Sequence, residues 1–256
     1  MRTSAVAATA TATAALLLPL TPSAAHAVGN PAITKVVVNK GKNIVVGPTT
    51  TTEFSAQITA THTAGVATAW VQLWHGASDE SADRWLTAPP QCTTSGQATT
   101  CTMNFQVTAD TRDMTNVVSN AQAGTWHIYA YAHGKDGAYT RVDNYATTKV
   151  QRASKLTANA APEPVKKGKN ITVTGTLSRA NWNTHKWAGY AGQKAKLQFR
   201  PKNSSTYTTL KTLTTSSTGK LSTTVKATAD GYYRYTFTGT STTPAATAPG
   251  DYINVT

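Results

Sequence analysis

Along most of the chain, apolar residues recur at every second position, in short runs that Gly, Pro, Asn and Ser clusters interrupt. Phe54, Ala56, Ile58 and Ala60 alternate with polar neighbours. So do Met103, Phe105 and Val107, and so do Trp126, Ile128, Ala130 and Ala132. On this last run His127, Tyr129, Tyr131 and His133 occupy the opposite side and read as a half-exposed strand face. Period two with one apolar side is what a sheet with one buried face requires. Helical periodicity is nearly absent and threonine is abundant. The pattern predicts strands at 33–38, 44–46, 53–60, 68–74, 100–108, 124–132 and 139–150 in the first half. In the second half it predicts strands at 171–177, 194–200, 206–213, 220–226, 232–238 and 251–255. Short strands at regular intervals predict an all-β fold, two tandem immunoglobulin-like antiparallel β-sandwiches.

The N-terminus departs from this pattern. Arg2 is followed by an apolar run from 5 to 20 centred on Leu16, Leu17 and Leu18, then Pro19, Pro22 and Ala25-His26-Ala27. A positive start, an apolar middle and an A-x-A site form a cleavable signal peptide. The run is broken by threonines and is shorter than the roughly 20 apolar residues a bilayer span needs. The expected organisation is a signal peptide at 1–27 and a first sandwich at 28–150. A linker and first strand region at 151–164 leads to a second sandwich at 165–256. Pro162 and Pro164 favour extended backbone in the connection. The expected location is secreted, extracellular or loosely cell-wall associated, with no membrane span. Lys40-Gly41-Lys42-Asn43-Ile44 is echoed by Lys167-Gly168-Lys169-Asn170-Ile171, each opening an early strand, which is modest support for duplication.

Cys92 and Cys101 are the two cysteines, nine positions apart around the turn dipeptide Ser95-Gly96. In an oxidising compartment they read as one disulfide across a hairpin. Loop entropy puts its contribution at roughly 2.5 kcal/mol.

Charge separates the halves. Residues 28–152 carry nine Lys/Arg against eight Asp/Glu, and residues 153–256 carry fourteen against three (Glu163, Asp230 and Asp251). Net charges of +1 and +11, with Arg2, make up the total of +13. A cationic module next to a neutral one favours an anionic cell-wall polymer, an acidic extracellular polysaccharide or anionic headgroups as partner; simple solubility is the alternative. No specific nucleic-acid motif is present. The sharpest basic feature is 193–202, where Ala195, Leu197 and Phe199 share one face and Lys194, Lys196, Gln198, Arg200 and Lys202 the other. On a strand such heads recur about every 6.5–7 Å. Arg234 lies on the outward side of a strand whose inward set is Tyr233, Tyr235 and Phe237, and widens the stripe if the strands are neighbours. The competing reading is lysines guarding an exposed sheet edge.

Two further clusters carry candidate chemistry. Trp182, Trp187 and Tyr190 near Lys186 can form a sugar platform or cap one end of a core. Asp79, Glu80 and Asp83, with Asp110, Asp113 or Asp136, offer oxygens to Ca²⁺, which takes about six to eight; the spacing is not that of an EF-hand, and a solvated acidic loop is the favoured reading of the run. For catalysis there is no His-x-x-x-His pair and no Gly-x-Ser-x-Gly elbow. Asp79, Asp110 or Asp143 are the carboxylates available for pairing. No enzyme activity and no obligatory cofactor are expected.

Several segments carry a family resemblance. Lys155-Leu156-Thr157, the stretch 164–175, Gly189-Tyr190-Ala191-Gly192-Gln193, Leu197-Gln198-Phe199-Arg200 and Asp230-Gly231-Tyr232-Tyr233-Arg234 resemble a domain of many secreted actinobacterial proteins. Leu73-Trp74-His75-Gly76 and Ala123-Gly124-Thr125-Trp126-His127 resemble the N-terminal domain that accompanies it. The resemblance covers nearly the whole chain after residue 27. It implies export and tandem immunoglobulin-like sandwiches, and some members carry a calcium-binding label.

Overall fold

A computed structural model describes residues 29–111 and 116–256. The signal-peptide expectation at 1–27, and Asp113, lie outside the described residues.

The first sandwich is built from β1 (Ala32–Val38), β2 (Ile44–Val46), β3 (Thr52–Thr61), β4 (Val66–His75), β5 (Arg84–Leu86), β6 (Gln91–Ser95), β7 (Ala98–Val107), β8 (Gly124–Gly134) and β9 (Tyr139–Arg152). One sheet runs β1-β3-β7-β6 and the other β2-β9-β8-β4-β5. Pairing is antiparallel except for β2, which runs parallel to β9. The two sheets bury Phe54, Ile58, Met103 and Phe105 from one side against Val71, Leu73, Trp126 and Ile128 from the other. Phe54 and Phe105, directly opposite on β3 and β7, stack at 5.2 Å. The alternation read from the sequence is the inward set of both sheets.

The second sandwich comprises β10 (Ser154–Leu156), β11 (Asn159–Ala161), β12 (Asn170–Asn181), β13 (Lys186–Gly189), β14 (Lys194–Pro201), β15 (Thr208–Thr214), β16 (Lys220–Lys226), β17 (Gly231–Phe237), β18 (Ala246–Thr247) and β19 (Asp251–Ile253). In one layer β12 pairs with β10, β11, β13 and β16; the other runs β15-β14-β17, with β18 and β19 on the far side of β17. Its core holds Ile171, Val173, Leu177, Leu197, Tyr233, Tyr235 and Phe237.

The two topologies share a common frame, to which β6 adds in the first domain and β13 in the second. In each, the first strands pair with the long strand β3 or β12, which pairs in turn with β7 or β16. In each, β4 or β14 lies between a shorter strand and β8 or β17. A parallel contact to the end of the domain also recurs, β2 on β9 in the first and, just past β19, the isolated bridge Val165–Val255 in the second. This is the two-layer arrangement of immunoglobulin-like sandwiches. The Lys-Gly-Lys-Asn-Ile echo does not follow this correspondence. Its first copy leads into β2, its second into β12, the counterpart of β3. The backbones differ too: Asn39 and Lys40 have positive φ with Gly41, whereas in the second copy only Gly168 does.

The region 151–164 is less of a linker than the prolines suggest. β9 continues to Arg152 and β10 begins at Ser154. Ala153 donates to the Val46 carbonyl (2.9 Å) and accepts from Ala180 N–H (2.8 Å), so it is bonded to both domains. The Arg152 side chain is buried and its Nε donates to the Ala180 carbonyl at 2.6 Å. Burial and the neighbouring Arg179 charge pull its guanidinium down to about 10, and it stays cationic at neutral pH.

Candidate functional site

The outward face of the β15-β14-β17 sheet collects cations and aromatic rings. Gln198 pairs with Arg234 and Arg200 with Tyr232 across β14 and β17, so the two basic strands are neighbours. Tyr252 lies opposite Tyr232 on β19, with the rings 5.2 Å apart. The Arg234 guanidinium sits 3.5 Å from the centre of the Tyr207 ring, and its Nε donates to Gln198 Oε1 at 3.0 Å. Arg200 lies 4.1 Å from the Tyr232 ring and 5.3 Å from Tyr207, and donates to the Ser204 carbonyl at 2.6 Å. Lys202 follows, 5.7 Å from the Tyr252 ring. Two planar cations thus alternate with three tyrosines, each guanidinium keeping donors beyond its single internal hydrogen bond. Lys194 and Lys196 extend the face along β14 with exposed side chains; the Lys194 ammonium donates to Thr214 Oγ1 at 2.9 Å.

The position of β14 corrects the edge-guarding reading. It is bonded to β15 on one side and β17 on the other, so its lysines protect no open edge. Carboxylates do not neutralise the face either. Asp230 accepts Val255 N–H at 2.8 Å and the Tyr252 hydroxyl at 3.3 Å; Asp251 accepts Ala160 N–H at 2.6 Å. Both acids are spent on bonds that hold the C-terminal strands. Among the described residues, every Lys or Arg ion pair lies in the first sandwich.

The aromatic loop is not a platform. Trp182 is 1 % exposed and belongs to the core of the first sandwich, beside Val46. Its Nε1 donates to the Val46 carbonyl at 3.1 Å, and its N–H reaches Asn120 Oδ1 at 2.9 Å. Asn120 also bonds Asn181 and Asn183, so the β12–β13 turn is clamped from both sides. Tyr190 is buried, edge-on to Phe237 with Arg179 over its ring at 3.9 Å. Burial raises its phenol, but hydrogen bonds with the Thr240 and Thr243 hydroxyls and the Arg179 charge outweigh this and leave it below its ordinary value. Trp187 alone is at the surface, with the Lys155 ammonium 4.0 Å over its ring. A large apolar ring at the domain junction gains more from the neighbouring core than from water.

The acidic loop is also dispersed. Asp79 bonds Arg141 at 2.9 Å, and Asp83 bonds His75 Nδ1 at 2.7 Å. Glu80 is exposed. Among the described residues no three His, Cys, Asp or Glu side chains are grouped to hold a metal. Asp79 and Asp143 do approach each other, but with Arg141 between them. Asp136 pairs with His62 at 3.0 Å and caps Ala138 N–H. The His62 hydrogen bond, opposed in part by burial, holds its carboxyl below the usual carboxylate range. An open groove of ≈ 700 Å³ lies by Lys40, Lys42, Glu53 and Asn104, with the Glu53 carboxylate engaged by Gln106 at 3.0 Å. The disulfide joins directly opposite residues of β6 and β7, Cα atoms 4.0 Å apart, as expected from the Ser-Gly turn.

No protein-family model matches the sequence, and no curated protein does. Solved structures similar to it include PorU from Porphyromonas gingivalis, at 10 % identity and TM-score 0.30, covering 93 % of this chain and 21 % of that one. Mouse nectin-like molecule 4 has 12 % identity and TM-score 0.26, with 89 % and 65 % covered. The D00-D0 domain of intimin has 14 % identity and TM-score 0.29, with 86 % and 99 % covered. The chain thus spans about a fifth of PorU and just under two thirds of the nectin-like ectodomain. The strand pairings, not these similarities, locate the candidate face.

Two members of that face escape sequence reasoning. Tyr207 precedes a strand and Tyr252 lies in the last one, 45 residues apart in sequence. Only the cross-strand register brings them beside Arg200 and Arg234. The alternation of 232–237 is the one signal that placed Tyr232 outward.

Proposed function

We propose that this is a secreted, non-enzymatic binding or structural protein that attaches to an anionic cell-wall polymer or extracellular polysaccharide through its second sandwich. The observation that carries the reading is the pair Arg200 and Arg234, stacked on Tyr207 and Tyr232 with no carboxylate partner. Aromatic faces hold the guanidiniums flat without neutralising them. Their free N–H donors suit phosphate or carboxylate groups. Lys194, Lys196 and Lys202 extend the charge along one strand, which fits an extended polymer better than a small ligand. The net +11 of 153–256 adds a long-range field that concentrates such polymers near the face.

The test uses the full chain without residues 1–27, mixed with purified cell walls that retain or lack teichoic acid, across a salt series. Binding to the anionic walls at low salt is expected, weakening as the Debye length falls from about 10 Å at 0.1 M to about 3 Å at 1 M. Failure to bind either preparation at low salt removes the proposal.

A further inference from the structure

The corresponding sheet of the first sandwich presents a different outward face. β8 is its central strand, flanked by β4 and β9. Trp70 lies opposite Tyr131 and stacks on it at 4.1 Å. Tyr131 stacks in turn on Tyr139, 5.8 Å away and 18° from parallel. Tyr139 is 56 % exposed, the most exposed large ring among the described residues. At the other end Trp74, itself only 3 % exposed, covers His127 at 4.1 Å, while Trp85 meets Tyr129 edge-on at 6.2 Å. The register between β8 and β9 shifts here: Ile128 faces Ala146 and Ala130 faces Val142, so residues 143–145 bulge opposite Tyr129. The bulge lets the Asp143 carbonyl accept Trp74 Nε1 at 2.9 Å, which pins that indole.

The arginine on this face is paired. Arg141, 5.6 Å over the Tyr129 ring, is held by Asp79 and Asp143 together. The bond to Asp143 and that residue's charge raise its guanidinium above the ordinary value. Gln72 and the pair His127–Asn144 (3.0 Å) supply further planar polar groups. Every outward ring carries a hydroxyl or a ring nitrogen, and Gln72 is the one residue between the two tryptophans on β4's outward side.

We infer that this face binds an uncharged polysaccharide. Pyranose rings combine apolar C–H faces with hydroxyl edges. The exposed Tyr139 ring and the half-buried Trp70 and Tyr131 beside it match the first, and fixed planar hydrogen-bonding groups the second. A small ligand needs a concave pocket that encloses most of its surface, whereas this face is an open sheet, suited to a chain lying across it. An anionic polymer gains little here, because Arg141 is already paired with two carboxylates. The inference is independent of the anionic-polymer reading, which rests on the other domain.

The test is affinity electrophoresis of the chain without residues 1–27 in gels containing soluble uncharged α- or β-glucans, with sedimentation against cellulose and chitin as insoluble probes. All are run at about 1 M salt, where charge attraction is screened. Retardation by at least one probe is expected. Tyr139→Ala, at an exposed site, and Trp70→Ala should each weaken it about tenfold, the scale of losing one good ring contact. Arg200→Ala/Arg234→Ala should leave it unchanged. Absence of binding to every probe overturns the inference. So does binding that both ring variants retain while their melting temperatures match the parent.

Discussion

The indole N–H of Trp182 donates to the backbone carbonyl of Val46, 3.1 Å away in the other domain. Its ring lies in the first core although its chain position is between two strands of the second. Around it run Asn120 to Asn181 and Asn183, Gln151 to the Thr240 carbonyl (2.9 Å), and Arg152 N–H to the Thr242 carbonyl (3.0 Å). The two sandwiches therefore share one buried joint. Trp182→Ala should cost about 3–5 kcal/mol, the range for truncating a buried aromatic. It should also split a single calorimetric unfolding transition into two. A variant melting as one transition at the parent temperature would contradict the shared joint.

Inward positions were legible in the sequence because burial repeats every two residues. Phe54, Ile58, Met103, Trp126, Tyr233 and Tyr235 are all buried as the alternation requires. Short strands without alternation were not legible. β6 is Gln-Cys-Thr-Thr-Ser with every residue exposed, and β10 and β11 come just before Pro162 and Pro164, in a stretch that reads as connection. The basic stripe was legible as a period-two pattern, but its neighbours Tyr207 and Tyr252 depend on strand order. Of the two readings of Trp182, the core cap holds and the sugar platform does not, but a loop aromatic gives no signal of which domain's core receives it.

The Cys92–Cys101 bond closes a loop of about ten residues, so removing it by the double Ala replacement should lower stability by roughly 2.5 kcal/mol. Cys101 is fully buried beside Ile58 on β3, and its truncation adds a small packing loss. Urea unfolding monitored by tryptophan fluorescence measures the change. No loss of stability would mean that the hairpin of β6 and β7 is held by its backbone bonds alone.

Tyr235 is fully buried and donates its hydroxyl to the Val173 carbonyl at 2.8 Å. Burial pushes its phenol up to about 12, against an ordinary value near 10. Above about pH 10 the unfolded chain ionises this group while the folded one keeps the proton, so stability falls as pH rises. The contribution, about 2–3 kcal/mol, is complete below pH 10 and is lost through pH 12. Tyr235→Phe should lose about 1 kcal/mol at neutral pH from the missing bond. Its alkaline decline should be shallower than the parent's in melting curves taken across this range. Equal slopes in both proteins would assign the decline to other groups.

Gly219 has a φ of 79°, and a Cβ there would stand 2.2 Å from the Leu177 carbonyl oxygen. That carbonyl belongs to β12, and the Gly219 carbonyl accepts Leu177 N–H at 2.9 Å. Gly219→Ala therefore combines a left-handed backbone with a clash against main chain, and should cost more than about 2 kcal/mol. Thermal melting reads the effect, and a loss under about 1 kcal/mol would mean that the turn before β16 can shift away.

Equal changes of charge on the basic face should have unequal effects. Arg200→Ala/Arg234→Ala and Lys194→Ala/Lys196→Ala each remove two cations, so any binding that follows net charge alone falls alike in both. The arginines, however, are stacked on Tyr207 and Tyr232 and lie side by side across β14 and β17. Their geometry is set before a ligand arrives, and little side-chain freedom remains to be lost. The lysines are exposed on flexible stems and must be ordered on binding. The arginine pair should reduce affinity for a soluble phosphate polymer about tenfold or more at 0.1 M salt, and the lysine pair only a few-fold. Titration calorimetry with polyphosphate of both variants, alongside Tyr207→Ala, separates the cases. Loss in the tyrosine variant comparable with the arginine pair means that the ring positions the guanidiniums. Identical losses in the two charge variants, with Tyr207→Ala unchanged, would reduce the face to a diffuse positive field.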